Sequence, residues 1–105
     1  MRPISEVLSP REIDVVREGL RACVEGPFFP EWEFQTLLGV DRETVRRVYE
    51  AWPDQTVSSQ EFGSAVVGSL NNLLGYPHGE DWGRYFSARP EEMKSALDHL
   101  IESGM

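Results

Sequence analysis

Cysteine, lysine and histidine are all scarce in this chain. Cys23 is its one cysteine, Lys94 its one lysine, and His78 and His99 its two histidines. A single cysteine excludes an intramolecular disulfide and agrees with a reducing, cytoplasmic setting. His78-Gly79-Glu80-Asp81 is the nearest approach to a metal-binding run, but no further His or Cys stands at a useful spacing, so His78 reads as a loop histidine. No glycine-rich phosphate loop, nucleophile elbow or zinc-helix motif is present, and no cofactor is expected. No apolar run approaches membrane-spanning length, and the opening Met1-Arg2-Pro3-Ile4-Ser5-Glu6 has no apolar signal core. Positive charge is in deficit as well. The formal net charge is −8, which disfavours phosphate backbones and anionic lipids and, if a partner exists, favours a basic one.

What is present is the material of a folded domain. The 105 residues suit one helical domain over 1–105. A chain of this size buries roughly 65% of its unfolded surface. Three Trp, three Tyr and five Phe supply large core anchors.

Helix starts are legible. Ser9-Pro10-Arg11-Glu12 has capping-box spacing with proline at the first helical position, and Leu8 with Ile13 forms a hydrophobic staple. Ser58 with Glu61, and Val57 with Phe62, repeat the device; Asp41 caps a third start with Val40 and Val45 as its staple. Gly26, Gly39, Gly75 and Gly104 each follow a helical pattern, as a left-handed C-terminal residue would. These signals predict helices over about 10–25, 31–38, 42–52, 59–74 and 90–103, with a weaker one over 80–86. Period-2 alternation is absent, so the predicted fold is all-α, a compact irregular bundle of five or six helices.

The segment 59–74 is the predicted centre. Val66, Val67, Leu70, Leu73 and Leu74 cover a wide arc, and Ser64, Ala65, Gly68 and Ser69 form a small-residue side. Gly63 and Gly68 inside a helix cost about 1 kcal/mol each relative to Ala, which close packing of another backbone would offset. Asn72 stands at the margin of the arc and, if buried, needs a backbone partner on a neighbouring helix. Phe34 to Val40 also echoes Leu70 to Tyr76, as two helix endings with the same glycine stop. Cys23 falls on the apolar stripe of the first long helix, where an inert core thiol is expected.

Two segments are candidates for function. Glu33 to Trp52 has the tripartite helix-turn-helix outline, with Arg42, Thr44, Arg46 and Arg47 on its second helix as DNA-contacting candidates. Gly39 to Val45 resembles the turn and recognition-helix start of many bacterial repressors, and Leu8 to Glu12 resembles the opening of LuxR-type DNA-binding domains. The resemblance spans about 8–50. It departs in the longer connection at Gly26 to Pro30 and in Gln35, where such motifs need a small residue. Asp41 to Trp52 is also formally neutral, which argues against phosphate neutralisation and hence against a nucleic-acid partner.

The other candidate is a pair of aromatic loops. Phe28, Phe29 and Trp32 lie in one; Tyr76, His78 and Trp82 lie in the other, followed by Tyr85 and Phe86. Pro and Gly turns can hold such rings partly exposed as a binding surface, with Glu31, Glu80 and Asp81 as an acidic rim, or tuck them in as core lids. The leading expectation is a small non-catalytic protein-interaction module (a regulator, inhibitor or immunity-type protein) with a protein partner or a second copy of itself. A DNA-binding regulator is the alternative, and a small enzyme or ligand-binding protein the third.

Overall fold

A computed structural model describes residues 3–26, 28–76 and 82–105, apart from the Glu31 side chain. Seven helices form the fold among these residues, with no strand: α1 (Ile4–Val7), α2 (Pro10–Glu25), α3 (Glu31–Leu38), α4 (Arg42–Ala51), α5 (Ser59–Gly75), α6 (Trp82–Tyr85) and α7 (Pro90–Glu102). The all-α bundle is as the sequence predicts. The additional helix is α1, a single turn too short to carry a periodic signal, whose Ile4 reaches the core.

The predicted starts hold at the level of single hydrogen bonds. Glu12 N donates to Ser9 Oγ (3.1 Å) and Ser9 N to Glu12 Oε1 (2.9 Å), a reciprocal capping box. Glu61 N donates to Ser58 Oγ (3.1 Å), and Thr44 N to Asp41 Oδ1 (2.9 Å). The stops divide. Gly39 and Gly104 are left-handed at φ 84° and 93°. Gly26 is extended, and Gly75 is the last residue of α5 rather than a residue beyond it. At Gly26 the need for glycine is steric: an added Cβ would lie 2.4 Å from Ala22 O and 2.6 Å from the Phe28 ring.

α5 packs against α2, α3, α4 and α7, and buries Phe62, Ala65, Val66, Ser69, Leu70 and Leu73. It shares the centre with α2, which also contacts α1, α4 and α7. The small residues explain how closely these helices approach. A Cβ on Gly68 would lie 2.7 Å from the Leu38 carbonyl oxygen, and one on Gly19 would lie 2.7 Å from Leu70 Cδ2. Asn72 completes the α3–α5 contact, its side-chain amide donating to Leu37 O (2.9 Å) and Gly68 O (2.7 Å). Asn72 is half-buried, and its hydrogen-bond partners are backbone carbonyls of α3 and of its own helix.

Candidate functional site

The connection from α2 to α3 turns its rings inward. Phe28 and Phe29 are 6% and 7% exposed, so of the two readings open for these rings the core-lid one holds at both positions, and the reading of either as an exposed contact is corrected. Arg42, the first residue of α4, holds this connection in place. Its guanidinium donates to Cys23 O (2.9 Å), Val24 O (3.2 Å) and Phe29 O (2.7 Å) and lies 4.5 Å over the Phe34 ring. The last carbonyls of a helix have no intrahelical donors and form the negative end of its dipole, so a cation placed there is doubly favoured.

Arg42 is therefore committed to the fold, and so is Thr44. Thr44 is buried, and its hydroxyl donates to Asp41 Oδ1 at 2.6 Å. Half of the DNA-contacting set proposed from the sequence is thus occupied internally, a correction to that assignment. Arg46 pairs with Glu43 at 3.7 Å, and Arg47 stays exposed.

The two aromatic segments meet. Tyr76, the residue that caps α5, packs T-shaped with Phe28 (centroids 5.2 Å apart) and with Phe29 (5.9 Å). Tyr85 of α6 packs T-shaped with Phe28 at 4.9 Å, and Trp82 packs on Phe86 at 4.4 Å. The Trp82 indole N–H donates to Ala88 O at 2.7 Å. Unlike the phenylalanines, Tyr76 and Tyr85 remain 36% and 39% exposed. Trp32 is separate: it is 79% exposed and does not line the groove formed by the other rings. His78, Glu80 and Asp81 lie outside the described residues.

That groove, of about 470 Å³, runs between α3 and the end of α5. Phe28 and Phe29 form its floor. Glu33 and Leu37, one turn apart, line the α3 side; Asn71 and Gly75, one turn apart, line the α5 side; Tyr76 closes the end. Its two walls are the two echoing segments of the sequence, held together by Asn72. Glu33, Leu37 and Asn71 escaped sequence reasoning. Leu37 is 41% exposed whereas its apolar neighbour Leu38 is buried, and no pattern marks a glutamate or an asparagine as groove-facing.

The electrostatics separate Glu33 from comparable groups. Glu12, Glu18, Glu33 and Glu92 are the half-buried carboxylates among the described residues. Glu12 accepts from Ser9 N and contacts His99 Nδ1 at 2.5 Å. Burial pushes its carboxyl up, but the Ser9 backbone and His99 bonds outweigh this and hold it below the ordinary range. Glu18 accepts from Ser87 N at 2.6 Å, and Glu92 from Arg11 Nε at 2.9 Å. Glu33 has neither a hydrogen-bond nor an ion-pair partner for its carboxylate among the described residues.

A larger groove, of about 590 Å³, lies along α7 beside Leu74. Its charges are already matched, Lys94 to Asp98 at 3.1 Å and His99 to Glu12. Cys23 offers no nucleophile, because burial pushes its thiol up to about 12. No group of three or more metal-ligating side chains exists among the described residues, and no helix among them is long and apolar enough to cross a membrane. Compared with known proteins, the chain matches no family model, no curated protein and no solved structure.

Proposed function

We propose that this chain is a small, non-catalytic protein-interaction module that docks a basic segment of a partner protein in the groove between α3 and the end of α5. One observation carries the reading: aromatic segments far apart in sequence converge around an open groove whose rim, Leu37 and Tyr76, is apolar and exposed. Tyrosine supplies contact area at low entropy cost and keeps a polar tip for water, which suits a surface that is alternately covered and bare. Among the described residues Glu33 is the charged one lining this groove, and the chain as a whole carries −8, so a basic segment is the complementary occupant.

Selection of a displayed library of random peptides against the folded chain tests this. Enriched peptides should lose about tenfold or more in affinity for the Leu37→Asp protein, equivalent to 1.4 kcal/mol. They should bind the Ile101→Asp protein unchanged, since Ile101 is an exposed apolar residue on α7, away from the groove. Peptides that bind the Leu37→Asp protein as well as the parent, or no enrichment at all, would overturn the assignment.

A further inference from the structure

Resting on the groove as a docking surface, we propose that its specific ligand is the guanidinium of a partner arginine, seated between the Glu33 carboxylate and the Tyr76 ring at the C-terminal end of α5. Three features of one sign converge there. Glu33 is a half-buried carboxylate with no donor among the described residues, although the other half-buried carboxylates are each held by one. Covering it with an apolar side chain would strand a charge away from water, whereas a cation removes that cost. Gly75 and Tyr76 bring the negative end of the 17-residue α5 to the groove, and the last turn of α5 contains no basic residue. Tyr76, which is 36% exposed and packs with Phe28 and Phe29, adds aromatic surface to the same groove, along which a planar cation can lie.

The molecule already uses this arrangement once. At the end of α2, Arg42 donates to the Cys23 and Val24 carbonyls and lies over the Phe34 ring. The end of α5 has a comparable combination of helix terminus and aromatic ring, plus a carboxylate, with no guanidinium among the described residues that line its groove. Anionic ligands are disfavoured by Glu33 and by the charge of −8. Arginine is favoured over lysine because its planar group can stack on the ring while its fork of N–H donors reaches both the carboxylate and the exposed Asn71 side-chain oxygen. A lysine ammonium, a compact and strongly hydrated charge, satisfies fewer of these partners at once.

The probes are Nα-acetylarginine amide, Nα-acetyllysine amide and the neutral isostere Nα-acetylcitrulline amide, titrated into the labelled chain and followed by amide NMR. The arginine probe should give saturable shifts centred on Glu33, Leu37, Asn71 and Tyr76. The lysine probe should bind several-fold more weakly and the citrulline probe should give no saturable shift. Glu33→Gln, which keeps the shape of the side chain, should weaken the arginine probe about tenfold with an unchanged melting temperature. Shifts scattered over the acidic surface, equal response to lysine, or indifference to Glu33→Gln would overturn the proposal. If Leu37-dependent peptides are nevertheless selected, and bind without arginine, the docking surface survives and only the arginine assignment falls. If neither peptides nor the arginine probe engage the groove, both fall.

Discussion

Two aromatic clusters in this molecule use the same residue types to opposite ends. Trp52 and Phe62 stack with centroids 5.9 Å apart and planes 17° apart, and both are buried. The Trp52 indole N–H donates to Ile13 O at 2.9 Å, so even its polar atom is used. This pair stands where the end of α4 meets α2 and α5. The Phe28 cluster is built instead from a connection, the last turn of α5 and the single turn of α6. Its phenylalanines are sealed, but Tyr76 and Tyr85 keep over a third of their surface in solvent. Aromatic content therefore does not distinguish a sealed core anchor from a partly exposed ring; the elements that flank each ring decide it.

Phe62→Ala should give the largest loss, about 3–5 kcal/mol, because a fully enclosed ring leaves a cavity that the surrounding helices cannot close. Tyr76→Ala should cost far less, and equal losses in denaturant melts of the two variants would abolish the contrast between the clusters. Arg42→Ala comes next. It removes a charged donor from three carbonyls, and a loss of about 1.5–3 kcal/mol is expected from hydrogen bonds to charged groups. Arg42→Lys should not restore it, since an ammonium cannot reach both α2 and Phe29 O with the same fork while stacking on Phe34. Full rescue by lysine, measured by urea midpoint, would reduce Arg42 to a generic charge.

The first turn of α2 also carries a pH response. The Glu12 carboxyl is lowered in the folded chain, so its contribution is present above the ordinary carboxylate range and is lost as pH falls through the folded value. Glu12→Gln should flatten that acid limb of stability, and unchanged curves would show that the Ser9 and His99 contacts do not stabilise its ionised form. Ser9→Ala should cost about 0.5–2 kcal/mol. Ser58→Ala should cost less, because Ser58 donates its hydroxyl to Glu61 rather than sharing a reciprocal backbone box. Trp32→Ala should have the smallest effect, within about 0.5 kcal/mol in a thermal melt, as for a surface residue outside any packed feature. A larger loss would show that this exposed ring is needed by the fold.

The helices, their N-caps and the packing role of Gly68 could all be derived from the sequence, because each depends on residues a few positions apart or on the periodicity of one face. Asn72 was legible for the same reason: its place at the edge of the apolar arc demanded a backbone acceptor. The glycine stops were legible only in part. Gly39 is left-handed, whereas Gly26 is extended and required because a Cβ there would meet the Ala22 carbonyl and the Phe28 ring, a crowding set by how the chain leaves α2. Only the tertiary structure turned Arg42 from a DNA-contact candidate into the clamp of α2, and placed Phe28 and Phe29 under Tyr76. It alone also brought Glu33 opposite Asn71 across 38 positions of chain. Local hydrogen bonding and amphipathic period are written in neighbouring residues. Which side chains face each other across a groove depends on how whole helices pack, and the chain carries no short-range record of that.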